Sequence, residues 1–371
     1  MKKYITFCLL LSALNAMAQE RHRFEFGSQT GYEYNYFKSP DQVLVDGSLL
    51  NENDLISSSG YLDLFFDYDY RYQWKANRLR IAISPFARLF QEQMTDSYWS
   101  LDVAVKYDRK LSKSIKLLGE LNINRMDREG LDGAQDVLVN PLGYTNYGGS
   151  GGLAWRPTKQ HRTSFEGFYN FKNFDAYGVR DLQFNEYGLR LATRQEFRPG
   201  RFEHSFGLTT YIKKRLYDTF NSEESPQTGR RDWDYAKLTG FYNLPLNAVF
   251  EIAPQLTYYG RFDRLENRSG FHQYGPGIRF RFDNDKTRIN ALVKYQVRGY
   301  TDIQAPGATD LLRYTYTDIS LQFEHQLPIK GLLFTGRAYS RFRETNTVDL
   351  ASRSFRGYTN QYAGVGLTWK L

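Results

Sequence analysis

Residues 288–299 alternate in chemistry with almost no break. Ile289, Ala291, Val293, Tyr295, Val297 and Gly299 carry no charge, and Arg288, Asn290, Lys294, Gln296 and Arg298 stand between them, with Leu292 the one exception. Successive side chains of a strand point to opposite faces, so this segment has one oily face and one wet face. The same period recurs along most of the chain. Two all-β solutions satisfy it. A soluble sandwich buries its oily faces against each other. A transmembrane barrel turns the oily face to lipid and encloses the wet one.

The N-terminus favours the second. Lys2 and Lys3 form a basic end, Tyr4 to Leu14 a short apolar stretch, and Ala16-Met17-Ala18 a small-residue cleavage site that leaves Gln19 first. This reads as a secretory signal peptide over 1–18, followed by a single β-barrel domain over 19–371. The apolar stretch is too short to span as a helix, and no later segment reaches helical spanning length. Cys8, the only cysteine, lies inside the signal, so neither a lipoprotein anchor nor a disulfide framework is expected. The mean hydropathy of −0.60 would suit a soluble protein. Barrels also score low, because only alternate residues meet lipid. The 29 Tyr, 27 Phe and 5 Trp tip the balance, since rings with a polar edge suit a bilayer interface. The formal charge of +8 falls to +6 once Lys2 and Lys3 leave with the signal. The bases are dispersed along alternating strands, with no nucleic-acid-binding motif, so attraction of anionic solutes is the expected use of that charge.

Sixteen strand-like segments are expected, within a range of 14 to 18. They are 23–37, 58–73, 78–91, 98–110, 115–128, 144–156, 161–174, 183–197, 201–217, 232–244, 249–265, 271–283, 288–301, 313–326, 332–345 and 358–371. Their connections alternate in length. Trp74-Lys75-Ala76-Asn77, Leu111-Ser112-Lys113-Ser114, Pro157-Thr158-Lys159-Gln160 and Arg198-Pro199-Gly200 are short and turn-forming, as are 245–248, 284–287 and 328–331. The others are usually longer: 38–57, 129–143, 218–231, 302–312 and 346–357. Short periplasmic turns opposite longer extracellular loops are the outer-membrane arrangement, and an even strand number leaves both termini on the short-turn side.

The last strand carries the most specific motif. Ala363, Val365, Leu367, Trp369 and Leu371 alternate with Tyr362, Gly364, Gly366, Thr368 and Lys370. Tyr362, Gly364, Leu367 and Trp369 together resemble the targeting strand of Gram-negative outer-membrane β-barrel proteins, although those usually end on an aromatic residue and this chain ends on Leu371. The resemblance implies insertion by the outer-membrane assembly machinery, with membrane lipid and lipopolysaccharide as surroundings. It identifies no particular barrel family. Resemblance to porins allows a homo-oligomer such as a trimer.

With the charged face inward, the wall includes the acids Glu25, Glu33, Asp63, Asp67, Asp69, Asp102, Glu120, Glu166, Glu186, Glu251 and Asp318. Its bases include Arg80, Arg88, Lys106, Arg162, Arg190, Arg194, Lys237 and Arg261, then Arg279, Arg281, Arg288, Lys294, Arg298, Arg337, Arg341 and Arg343. Acids crowd the early strands and bases the later ones. A transverse field across the lumen is the resulting expectation, with anions concentrated at the basic side. Cross-strand pairing that merely stiffens the wall is the alternative. Trp74, Trp155 and Trp369 near short turns and Trp99 near a long connection are expected in the interfacial girdles. Loops 38–57 (Val43, Val45, Leu49, Leu50) and 129–143 (Val137, Leu138, Val139, Leu142) carry apolar clusters that seek cover, in the lumen or against neighbouring loops.

No catalytic constellation emerges. The five histidines, His22, His161, His204, His272 and His325, form no metal-ligand spacing, no G-x-S-x-G elbow is present, and the expected mature chain has no thiol. His204 and Ser205 are adjacent and so face opposite ways on a strand. Gly148 to Gly152 lies within a strand, not before a helix, and is no phosphate loop. No cofactor is expected. Three functions remain: a passive porin-like channel for small hydrophilic solutes, a scaffold barrel in a secretion, assembly or adhesion complex, and a lipid-modifying enzyme. A partner that co-purifies would mark the second. Activity on phospholipid or lipid A would mark the third.

Overall fold

The computed structural model describes residues 21–128, 143–175, 180–221, 231–265, 269–352 and 356–371. The expected signal over 1–18 and the greater part of connections 129–143 and 218–231 lie outside them. In chain order the elements are β1 (His22–Tyr34), β2 (Val43–Val45), β3 (Ser48–Leu50), α1 (Glu52–Leu55), β4 (Ser59–Trp74), β5 (Asn77–Phe90), β6 (Tyr98–Lys110), β7 (Ile115–Asp127), β8 (Tyr144–Trp155) and β9 (His161–Phe174). They continue with β10 (Arg180–Phe197), β11 (His204–Asn221), β12 (Arg231–Pro245), β13 (Phe250–Asp263), β14 (Phe271–Asp283), β15 (Thr287–Gln304), β16 (Leu311–Gln326), β17 (Leu332–Thr345) and β18 (Tyr358–Lys370). All strands except those of the β2–β3 hairpin belong to one closed, antiparallel barrel of sixteen strands. Each strand pairs with its chain neighbour, and β1 closes the ring between β4 and β18. Closure leaves no strand edge unpaired.

Each of the sixteen expected segments coincides with one barrel strand. The clearest departure is at β10 and β11, which run on to Arg180 and Asn221 and pair without interruption through all 18 residues. Residues 180–182 and 218–221 carry too little apolar contrast to show a period, yet their backbones continue the ladder. Connection 38–57 is not bare loop either: it holds the β2–β3 hairpin and α1.

Alternation sets the two faces. In β15 the even-numbered residues from Arg288 to Tyr300 point inward and the odd-numbered ones outward; Tyr300 is 7% exposed and Tyr295 47%. Leu121, Ile212, Leu256, Ile319 and Val365 are among the outward apolar residues. On this outward face, charge occurs only toward the strand ends among the described side chains. Arg109 is at the short-turn end, and Arg125, Asp127, Lys214, Asp232, Asp234, Arg313 and Glu344 lie toward the other. An apolar belt lies between. Trp74, Trp99, Trp155 and Trp369 all stand exposed on the outward side, whereas Trp233 is buried inside.

All five histidines are also outward, among rings. His22 lies against Tyr68 and Tyr70, His161 against Trp155, His204 against Phe197 and Tyr242, His272 against Tyr258 and Phe262, and His325 against Phe323. Ser205 faces inward and accepts a hydrogen bond from Asn243 at 2.8 Å, on the opposite side of the wall from His204.

Candidate functional site: the inner wall

The inward residues change in character along the barrel axis. Near the long loops, rings and guanidinium groups interleave. Arg88 lies 4.1 Å from the Tyr61 ring centroid, Arg215 4.3 Å from Phe184, Arg261 4.3 Å from Trp233, Arg298 4.3 Å from Phe271 and Arg343 4.4 Å from Tyr358. The flat guanidinium stacks on a ring face while its edge N–H groups remain free for acceptors. Three buried aromatic clusters result, around Tyr61 and Phe90, around Phe184 and Trp233, and around Phe271 and Tyr314.

Ion pairs dominate the early strands. Arg88 holds Asp63 at 2.7 and 2.8 Å and Glu33 at 2.6 Å. Asp69 lies between Arg71 at 3.1 Å and Arg80 at 2.5 Å. Arg78 pairs with Asp108 at 2.6 Å and Lys106 with Glu120 at 2.9 Å. Asp67 shares this face, beside Glu25 in the register. Most acids of the early wall therefore meet bases on the same wall, whereas Asp67, Asp102 and Glu166 make no ion pair among the described residues. Pairing in the later strands is incomplete. Glu186 binds Lys213 and Arg215 at 2.8 and 2.6 Å, Asp318 binds Arg341 at 2.6 Å, and Asp283 binds Arg281 and Arg288 at 2.5 and 3.2 Å. Arg194 reaches Glu196 at 3.2 Å, and Arg190 lies over Phe168. Arg298 donates to Gln273 at 2.9 Å, a neutral partner. Arg279, Lys294 and Arg337 have no ion pair among the described residues. The transverse field expected from strand order is thus reduced by pairing on the early wall: an incompletely paired basic later wall faces an early wall on which Asp67, Asp102 and Glu166 are the acids left over among the described residues.

Among the described residues, two cavities that open off the inner wall stand out. One of about 440 Å³ lies among Arg71, Arg80, Lys106, Glu120, Arg162 and Glu166. Another, of about 310 Å³, lies at mid-height between β11 and β17. Gln296 belongs to the wet face read from 288–299, whereas Tyr211, Tyr259 and Gln255 of the second cavity are absent from the expected wall. The readable signal for the two rings is their phase: Tyr259 is two residues from Arg261, and Tyr211 two from Lys213.

At the mouth, the loops bind one another. The β2–β3 hairpin donates from the Leu44 N–H to Leu350 O at 2.8 Å, and Arg356 donates to Gln42 O at 2.6 Å and Asp349 O at 2.8 Å. Arg343 on the inner wall donates to Arg356 O at 2.6 Å. Loop 38–57 thus takes cover against loop 346–357. Glu92, in the β5–β6 connection, accepts from the Ser59 hydroxyl and from the Gly60 N–H, which hold its carboxyl below the usual glutamate range. The Tyr36 hydroxyl, pushed well up by burial, donates to Asp96 at 2.5 Å.

Among the described residues no group of three or more His, Cys, Asp or Glu side chains is placed to hold a metal. No known family's sequence profile matches the chain, and no curated protein matches it. Solved structures similar to it include OccAB3 from Acinetobacter baumannii, at 10% identity and a TM-score of 0.49, covering 95% of this chain and all of that one. Another is CdiB from Acinetobacter baumannii, at 10% identity and 0.48; the match covers 94% of this chain but only 60% of that one. A third is a bacterial polysaccharide outer membrane secretin, at 10% identity and 0.45, covering 95% of this chain and 98% of that one. At such identities the likeness is one of barrel fold, and it transfers no activity.

Proposed function

We propose that this protein is an outer-membrane, porin-like channel for passive diffusion of small hydrophilic solutes, with a preference for anions. The observation that carries this reading is the combination of a sixteen-stranded closed barrel with an outward apolar belt and a polar inner wall on whose later strands Lys237, Arg279, Lys294 and Arg337 make no ion pair among the described residues. Barrels of this strand number are wide enough to enclose an aqueous channel. The export signal over 1–18 and insertion through the strand of Tyr362, Gly364, Leu367 and Trp369 complete the proposal. Lipid and lipopolysaccharide surround the belt, and solutes pass charged rungs without turnover.

Planar-bilayer recording under a salt gradient tests it. Discrete, persistent current steps with a reversal potential of anion sign are expected. Arg279→Gln combined with Arg337→Gln should shift that potential toward zero, since both guanidinium groups lack a carboxylate to compensate them. A correctly folded barrel that passes no current overturns the reading.

A further inference from the structure

The mid-height cavity of about 310 Å³ holds charge that the ion pairs of the wall leave over. Lys237 of β12 and Lys294 of β15 both border it. Lys294 stands opposite Asp318 in the ladder. Asp318, however, is already held by Arg341 at 2.6 and 3.0 Å and accepts from the Tyr339 hydroxyl at 3.2 Å. Neither lysine ammonium makes a hydrogen bond or an ion pair among the described residues. Two half-buried cations facing one enclosed space attract an anion into it. Every other side chain that borders the cavity ends in a polar group, Thr239, Gln255, Gln296 and Tyr259 among them. Such a lining is predominantly polar and offers donors and acceptors on several sides.

We infer that this cavity is a subsite for a small carboxylate bearing several hydroxyl groups. Lys237 and Lys294 take the carboxylate, and Gln255, Gln296 and Tyr259 take the hydroxyls. A phosphate fits less well. It would find no free guanidinium fork, because that of Arg341 is occupied by Asp318, and the glutamines would have no alcohol hydroxyls to meet. The inference rests on the channel reading only for how the ligand arrives.

The test is titration calorimetry of sodium D-gluconate into the folded protein in detergent, with single-channel recording alongside. Saturable binding is expected. It should weaken at least tenfold in Lys237→Gln/Lys294→Gln and be largely retained in Lys294→Arg. Hexanoate, of the same chain length without hydroxyls, should bind at least tenfold more weakly than gluconate, and inorganic phosphate should not compete. Heat-modifiable electrophoretic mobility checks that each variant is folded. Absence of saturable binding, equal affinity in the double variant, hexanoate binding as tight as gluconate, or competition by phosphate each overturns the subsite. A barrel that binds gluconate as expected but passes no current overturns the channel alone. One that conducts anions but binds gluconate equally with and without the two lysines overturns the subsite alone.

Discussion

Arg88 is the residue on which the early wall depends most. Its Nε and Nη2 hold Asp63, its Nη1 reaches Glu33, and its plane covers Tyr61. The Arg88 side chain is 12% exposed and that of Asp63 only 4%. Charges this far from water are stabilised chiefly by one another, so removing one leaves the others uncompensated. Arg88→Ala is expected to cost about 3–5 kcal/mol, read as a lower denaturant midpoint for the barrel in lipid. Arg88→Lys should fall between, because an ammonium cannot hold a carboxylate through two parallel bonds. A cost below about 1 kcal/mol, the value of an exposed pair, would mean that water reaches the site freely. Alternation alone puts Arg88 and Asp63 on one face, since phase is a local property. That Glu33 joins them was not legible, because 55 residues separate it from Arg88 and only the register around the β1 closure brings it there.

The C-terminal strand shows what an element's sequence conveys and what it conceals. Its alternation and terminal position were plain from the residues. The physical use of Gly364 was not, because it lies in another strand. A Cβ on Gly364 would meet the Tyr61 hydroxyl, and one on Gly31, opposite in the register, would lie 2.7 Å from the same atom. Tyr61 is completely buried, so the two glycines form its seat across the closing seam. Gly364→Ala should therefore destabilise the barrel by about 1–3 kcal/mol, as overpacking does. Combining it with Tyr61→Phe, which removes the clashing oxygen, should recover part of that loss. Additive losses in the four-way comparison of unfolding midpoints would refute the seat. Strand prolines are similarly silent in sequence. Pro85, Pro254 and Pro276 each coincide with a gap in the ladder on one side, as expected of a residue with no N–H to donate. The β2–β3 hairpin and α1 were also unreadable, both being too short to show a period, and the hairpin is held from outside its own sequence by loop 346–357.

At the scale of the whole molecule, strand length and charge placement agree on how the barrel sits. The barrel strands contain 12 to 18 residues, whereas about 9–11 tilted residues cross a bilayer. The excess gathers on the long-loop side, and so do most outward charges. There Arg125 pairs with Asp175 at 2.5 Å, Lys214 with Asp232 at 3.0 Å and Arg264 with Asp234 at 2.5 Å, beyond the apolar belt. The belt itself was legible because it needs only the period. Its depth relative to the rim was not, since depth depends on where each strand starts against its neighbours. If lipid surrounds the belt, a charge should be costly in a depth-dependent way. Leu121, outward and 68% exposed, lies within the belt, and Leu121→Arg should cost about 2–4 kcal/mol in lipid. Asn173, outward at the last turn of β9 before the long-loop side, lies near the rim, and Asn173→Arg should cost about 0–1 kcal/mol. Reversible unfolding in phospholipid vesicles measures both. Similar small costs at the two sites would place water rather than lipid around the barrel, and with it would go the membrane setting on which the channel depends. A cost at Leu121 alone would locate the bilayer against the belt and leave the pairs Arg125–Asp175, Lys214–Asp232 and Arg264–Asp234 in the headgroup layer above it.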